Sequence, residues 1–98
     1  MARPMLPIVV EEFLSWMVAE KGRSANTIAA YRRDLGTYGE WLTTRGTTVL
    51  DVTHLQLVEF VGVRRASGAA TSSIARQLAA IRMLHRYLSI EGERRDDP

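Results

Sequence analysis

The stretch Ser72–Leu88, SSIARQLAAIRMLHRYL, decides how this chain is read. Ile74, Leu78, Ile81, His85 and Leu88 recur at alternating steps of four and three residues, the spacing that lines one stripe of an α-helix. Roughly opposite lie Ser72, Arg76, Ala79 and Met83, with Ser73, Ala80, Arg82 and Arg86 on the shoulders. One side is built to pack, and the other presents a guanidinium among small side chains. Such a helix can come close to a phosphate backbone or enter a groove of duplex DNA.

The segment from Ser24 to Gly46 repeats the design. Ser24 is an N-cap candidate, and Asn26 and Thr27 keep further hydrogen-bonding groups in the first turn. Ile28, Tyr31, Leu35, Tyr38 and Leu42 mark the packing stripe of a helix running to about Arg45, with Gly46 as its stop. Asn26, Ala30, Arg33 and Thr37 mark the opposite side. Gly36 and Gly39 each cost about 1 kcal/mol relative to Ala in a helix interior, and close helix approach is one use for them.

Two further helices complete the chain. Pro7 suits a first helical turn, Glu11 and Glu12 favour the positive end of the helix dipole, and Gly22 ends the segment. Val10, Phe13, Leu14 and Met17 form its apolar stripe, while Val9 and Trp16 sit at the stripe's edge. After a linker over Thr47–Val52, Thr53 followed by Gln56 is a capping box, a specific helix start. Leu57, Phe60, Val61 and the stem of Arg64 give that third helix its inner face, and Thr71 or Ser72 is expected to cap the fourth. Gly92 ends the fourth helix and a charged tail, GERRDDP, follows. The pattern is that of an all-α, compact four-helix domain.

At 98 residues this is one domain, able to bury about two-thirds of the surface its unfolded chain exposes. The absence of cysteine excludes disulfides and thiol chemistry, and no apolar run approaches the roughly 20 residues that span a bilayer. The opening MARPML is too short and badly flanked for a signal peptide, so a cytoplasmic protein without membrane partners is expected. Net charge is only +2, but of 13 basic residues all except Lys21 are Arg, the better side chain for forked contacts to phosphate and guanine.

Catalytic readings find little support. His54 and His85 are the only histidines, one at a helix start and one within a core stripe, so no metal signature exists and no cofactor is implied. There is no Gly-rich phosphate loop and no nucleophile elbow. Glu11-Glu12 and Asp96-Asp97 read as solvated surface, and Tyr31 and Tyr38 as packing residues. The Arg-bearing faces are either solvated surface or a nucleic-acid contact. The second reading gains from helix N-termini that lie within two turns of an Arg, since free N–H groups and the positive dipole end suit phosphate.

Two runs carry a family resemblance. Glu20-Lys21-Gly22-Arg23-Ser24-Ala25-Asn26-Thr27-Ile28-Ala29-Ala30-Tyr31-Arg32-Arg33-Asp34-Leu35 resembles the start of the second helix in tyrosine recombinases of the Xer and phage-integrase type. Ser73-Ile74-Ala75-Arg76-Gln77-Leu78-Ala79-Ala80-Ile81-Arg82 resembles the fourth helix of the same N-terminal domain, and Val52-Thr53 and Asp97-Pro98 fit as well. Gln77 stands where that family often has a further basic residue. The resemblance implies a core-binding domain with a SAM-like fold, two helical hairpins crossed at a steep angle. It implies that residues 1–92 clamp duplex DNA at a recombination half-site and that 93–98 begin a linker to a C-terminal catalytic domain. That second domain would hold the family's catalytic residues, leaving this chain inert by itself. Neighbouring recombinase protomers on DNA are further implied partners.

Residue by residue, the resemblance and the spacing together nominate Ser24, Asn26, Thr27, Ala30 and Arg33 on the second helix. On the fourth they nominate Ser72, Ser73, Arg76, Ala80 and Arg82, with Arg76 for a base edge and Arg33 for phosphate. The rival is a protein-interaction module that uses Val9 and Trp16 on the first helix and leaves the Arg faces idle, because a fold does not fix a function.

Overall fold

Each helix starts and stops where the backbone chemistry of its end residues requires. The computed structural model describes residues 6–98 and forms α1 (Ile8–Lys21), α2 (Ala25–Thr44), α3 (His54–Ala66) and α4 (Thr71–Ile90). The expectation for the opening stretch falls, for Met1–Met5, outside the described residues. Ser24 Oγ accepts from the Thr27 N–H at 3.2 Å, which starts α2. The capping box of α3 is complete: the Gln56 N–H donates to Thr53 Oγ1 at 3.2 Å and the Thr53 N–H to Gln56 Oε1 at 2.9 Å. Gly22 closes α1 at φ 61°, a left-handed conformation that side chains with a Cβ resist.

Two helix starts differ from expectation. Pro7 lies just outside α1, where its carbonyl accepts from the Val10 and Glu11 N–H groups. Neither Thr71 nor Ser72 caps α4. Ala70 holds the cap position without a side-chain bond, because its extended backbone already directs its carbonyl to the Ile74 N–H at 3.0 Å.

The core gathers Val10, Phe13, Leu14 and Met17 of α1, Leu35, Tyr38 and Leu42 of α2, Phe60 of α3, and Ile74, Ala80, Ile81, Leu84 and Leu88 of α4. The most extensive helix contact is between α2 and α4, with α1 laid against both and α3 mainly against α4. Because α2 closes over one flank of α4, the buried side of α4 is wider than its apolar stripe. Gln77, Ala80 and Leu84 join it, while Leu78 is only half-buried. Val49 and Val52 bring the α2–α3 linker into the core as well. Among the described residues no helix is long and apolar enough to cross a membrane.

His85 is a core histidine. Its Nε2 lies 2.8 Å from the Tyr38 hydroxyl, and Nδ1 has no partner among the described residues. Burial first, then the Arg94 charge, push its pKa down from 6.5 to about 4, and burial raises that of Tyr38. The unfolded chain therefore binds a proton between about pH 6.5 and 4 that the folded chain refuses. His85 thus contributes stability that is lost as pH falls through that window, of order 3 kcal/mol in all. Denaturant titrations of the protein and of His85→Asn across this range should show the extra slope only with the histidine present.

Close helix approach does not explain the glycines of α2. Among the described residues, a Cβ at Gly36 would meet Leu6 at an ordinary 3.8 Å, and one at Gly39 would meet nothing within 4 Å. Gly39→Ala should therefore stabilise by about 1 kcal/mol, raising Tm by roughly 4–8 °C in a thermal melt.

Candidate nucleic-acid interface

On α2 the outer line runs through Asn26, Arg33 and Glu40, all exposed, with Ala29, Ala30 and Thr37 half-exposed beside it. Arg33 has no ion-pair partner among the described residues, although Glu40 two turns later brings a negative charge to the same flank. Ser24 is less available than its type suggests. Its hydroxyl donates to Thr27 Oγ1 at 3.0 Å while accepting from the Thr27 N–H, so it serves the helix start. Thr27 keeps its own hydroxyl proton free for an external acceptor.

On α4 the exposed line is Ser72, Ala75, Arg76, Ala79, Arg82 and Arg86, with Ser73 half-buried. Ala80 was expected on this line and is not part of it. It is wholly buried within the core cluster, one turn beyond Arg76. Arg82 lies along the opposite border, lining a recess of about 150 Å³ between α3 and α4 with His54, Leu57 and Pro98. It therefore does not share a patch with Arg76.

Arg76 is not the free cation that helical spacing suggests. Its Nε and Nη2 donate to the two carboxylate oxygens of Asp34 at 3.0 and 2.9 Å, a side-on fork joining α4 to α2. Asp34 is fully buried, whereas the Arg76 side chain remains 49% exposed. The hydrogen bond and then the charge of Asp34 raise the guanidinium pKa above its ordinary value, so the cation is permanent. Two of five N–H donors are engaged and three are left for an outside acceptor, on a plane that can no longer swing. Asp34 neighbours Arg33 in the chain, so the fork lies one residue along α2 from the other nominated arginine.

Spacing missed Asp34 because an acid beside a packing stripe resembles a surface residue, and only the position of α4 reveals its partner. Glu11 was missed similarly. It was expected to be solvated, yet it takes a two-pronged contact from Arg32 at 2.5 and 2.8 Å and ties α1 to α2. Gln77 is buried and accepts from Arg64 Nε at 3.1 Å, so this position serves the α3–α4 contact.

The sequence matches the family model for the phage integrase N-terminal SAM-like domain over residues 10–92. The chain belongs to that family. Similar curated proteins are named tyrosine recombinase XerD. That of Proteus mirabilis is 41% identical over 91 residues, covering 93% of this chain, and that of Rhizobium meliloti (strain 1021) is 40% identical over 89 residues, covering 91%. The one from Pasteurella multocida (strain Pm70) is 40% identical over 90 residues, covering 92%. The SAM-like chain spans only 29–30% of the length of these relatives. No solved structure matches it.

The Asp34–Arg76 fork predicts an asymmetry. Arg76→Ala leaves a carboxylate buried without a partner and should cost about 3 kcal/mol, whereas Asp34→Ala leaves only a half-solvated guanidinium and should cost roughly 1 kcal/mol. Urea titrations of the two variants read the difference directly.

Proposed function

We infer that this domain binds duplex DNA at a recombination half-site, as the N-terminal clamp of a site-specific tyrosine recombinase whose catalytic domain follows residues 93–98. The observation that carries the reading is the match to tyrosine recombinases along more than nine-tenths of the chain. The seam adds a physical basis. Arg33, the three spare donors of Arg76 and the Thr27 hydroxyl occupy low-relief surface, and the uncapped start of α4 offers N–H groups to phosphate. Pairing with Asp34 cancels much of the Arg76 charge, so at this one residue the contact relies on directed hydrogen bonds, while the unpaired Arg33 supplies charge attraction. Strand cleavage belongs to the second domain in this reading, and the present chain acts by holding DNA.

The interaction-module alternative keeps only a half-buried patch. Val9 and Trp16 pack against the core, with the Trp16 ring 5.1 Å from Tyr87 and 6.3 Å from Phe13.

Adding a half-site duplex should shift the amide resonances of Asn26–Thr37 and Ser72–Ala79, and binding should weaken steeply with salt. Arg33→Ala should weaken all sequences by about 1 kcal/mol and reduce the salt slope by about one. Arg76→Lys keeps a charge for Asp34 but loses the fork, so it should flatten sequence preference. Shifts confined to α1, or salt-independent binding, would overturn the assignment.

A further inference from the structure

The segment after α4 carries a buried cation that the DNA reading does not use. Arg94 keeps only 7% of its side chain exposed, although it lies in a stretch whose composition reads as a free charged tail. Its Nη1 donates to the Val49 carbonyl at 3.0 Å and its Nη2 to the Val52 carbonyl at 2.8 Å, while Nε donates to Asp96 at 2.9 Å. Both carbonyls belong to the α2–α3 linker, whose Val49 and Val52 side chains are core residues. The guanidinium therefore grips a part of the fold that is itself fixed. A second contact lies four residues on, where His54 Nδ1 is 2.9 Å from the Pro98 main-chain oxygen. Asp97 and Pro98 then form one wall of the recess between α3 and α4, beside Arg82 and His85.

We propose that Arg94 is a positioning residue: it pins residues 93–98 across the α2–α3 linker and the start of α3, and so sets the direction in which the chain leaves the domain. This rests on the reading that a catalytic domain follows, because the pin then orients one half of the DNA clamp relative to the other. The physical case is the difference between two and zero fixed points. A segment of six residues held at Arg94 and again at Pro98 loses the freedom that a solvated linker of the same length keeps. A guanidinium suits the first point because its planar fork reaches two carbonyls at once, which a lysine ammonium on a flexible stem does poorly. The charge is also felt inside the fold. Arg94 helps to hold the His85 pKa low, opposed by Asp96, with the Tyr38 hydroxyl on the α2 side and His54 and Arg82 lining the same recess.

The test needs no DNA, so its failure is separate from failure of the binding assignment. The chain has no cysteine, so Pro98→Cys gives a single attachment point for a nitroxide. Broadening of the amides of His54, Leu57, Val58 and Arg82 in this labelled protein is expected, together with heteronuclear NOE values for Glu93–Asp97 close to those of α4. Arg94→Gln in the same background should abolish the selective broadening and lower those NOE values. It should also move the His85 pKa up from about 4, while the α1, α2 and α4 core resonances stay in place. Arg94→Lys should leave the His85 pKa low but loosen the segment. Low NOE values for Glu93–Asp97 in the unsubstituted protein overturn the proposal, and this measurement decides even if Arg94→Gln fails to fold. Unchanged broadening in a folded Arg94→Gln overturns it equally.

Discussion

The fork between Arg76 and Asp34 is the constraint on which the arrangement of this domain depends. It joins the two longest helices at their largest contact and seals a carboxylate that water no longer reaches. A buried charge must be answered by a fully directed partner, because the cost of leaving it alone is several kcal/mol. Register between α2 and α4 is thereby tied to one geometry. Sliding either helix by a residue would separate the fork and strand the carboxylate. Apolar side chains supply most of the favourable burial, but they tolerate small shifts in a way that a two-pronged hydrogen bond does not.

The same fork joins stability to the proposed contact surface. Arg76 faces inward with two donors and outward with three, so a change there alters both the helix seam and whatever lies against it. Arg33, one residue along the chain from Asp34, has no such double duty. The exposed flanks of the two helices therefore differ in kind: one guanidinium is oriented by the fold, the other is free to adapt.

Much of this was legible from residue spacing. Four helices, the complete capping box at Thr53 and Gln56, the serine cap at Ser24 and the α1 core of Val10, Phe13, Leu14 and Met17 all follow from local rules that act within a few residues. What stayed hidden depends on contacts between distant parts of the chain. Ala80 looks like a shoulder residue until the core encloses it, Asp34 and Glu11 look solvated until Arg76 and Arg32 reach them, and Arg94 looks like tail until Val49 and Val52 turn their carbonyls toward it. Small and charged residues carry little information about burial by themselves. Their neighbours decide, and periodicity along one helix does not contain those neighbours. The site nominations from sequence thus separate into Arg33 and Thr27, which stay accessible, Ser24 and Arg76, which are partly engaged at home, and Ala80, which is inside.

α3 is attached on different terms from the rest. Phe60 is its one fully buried residue, while Leu55, Val58 and Val63 face outward. Leu57 packs on the core from the side, and polar contacts add to it: Arg64 to the buried Gln77, Arg45 to Glu59, and the Pro98 main-chain oxygen at His54. With fewer buried side chains than its neighbours, α3 has the least apolar burial to lose in a local opening. The third helix is thus the thinnest-sealed wall of the domain, and its Leu55, Val58 and Val63 spend apolar surface on solvent.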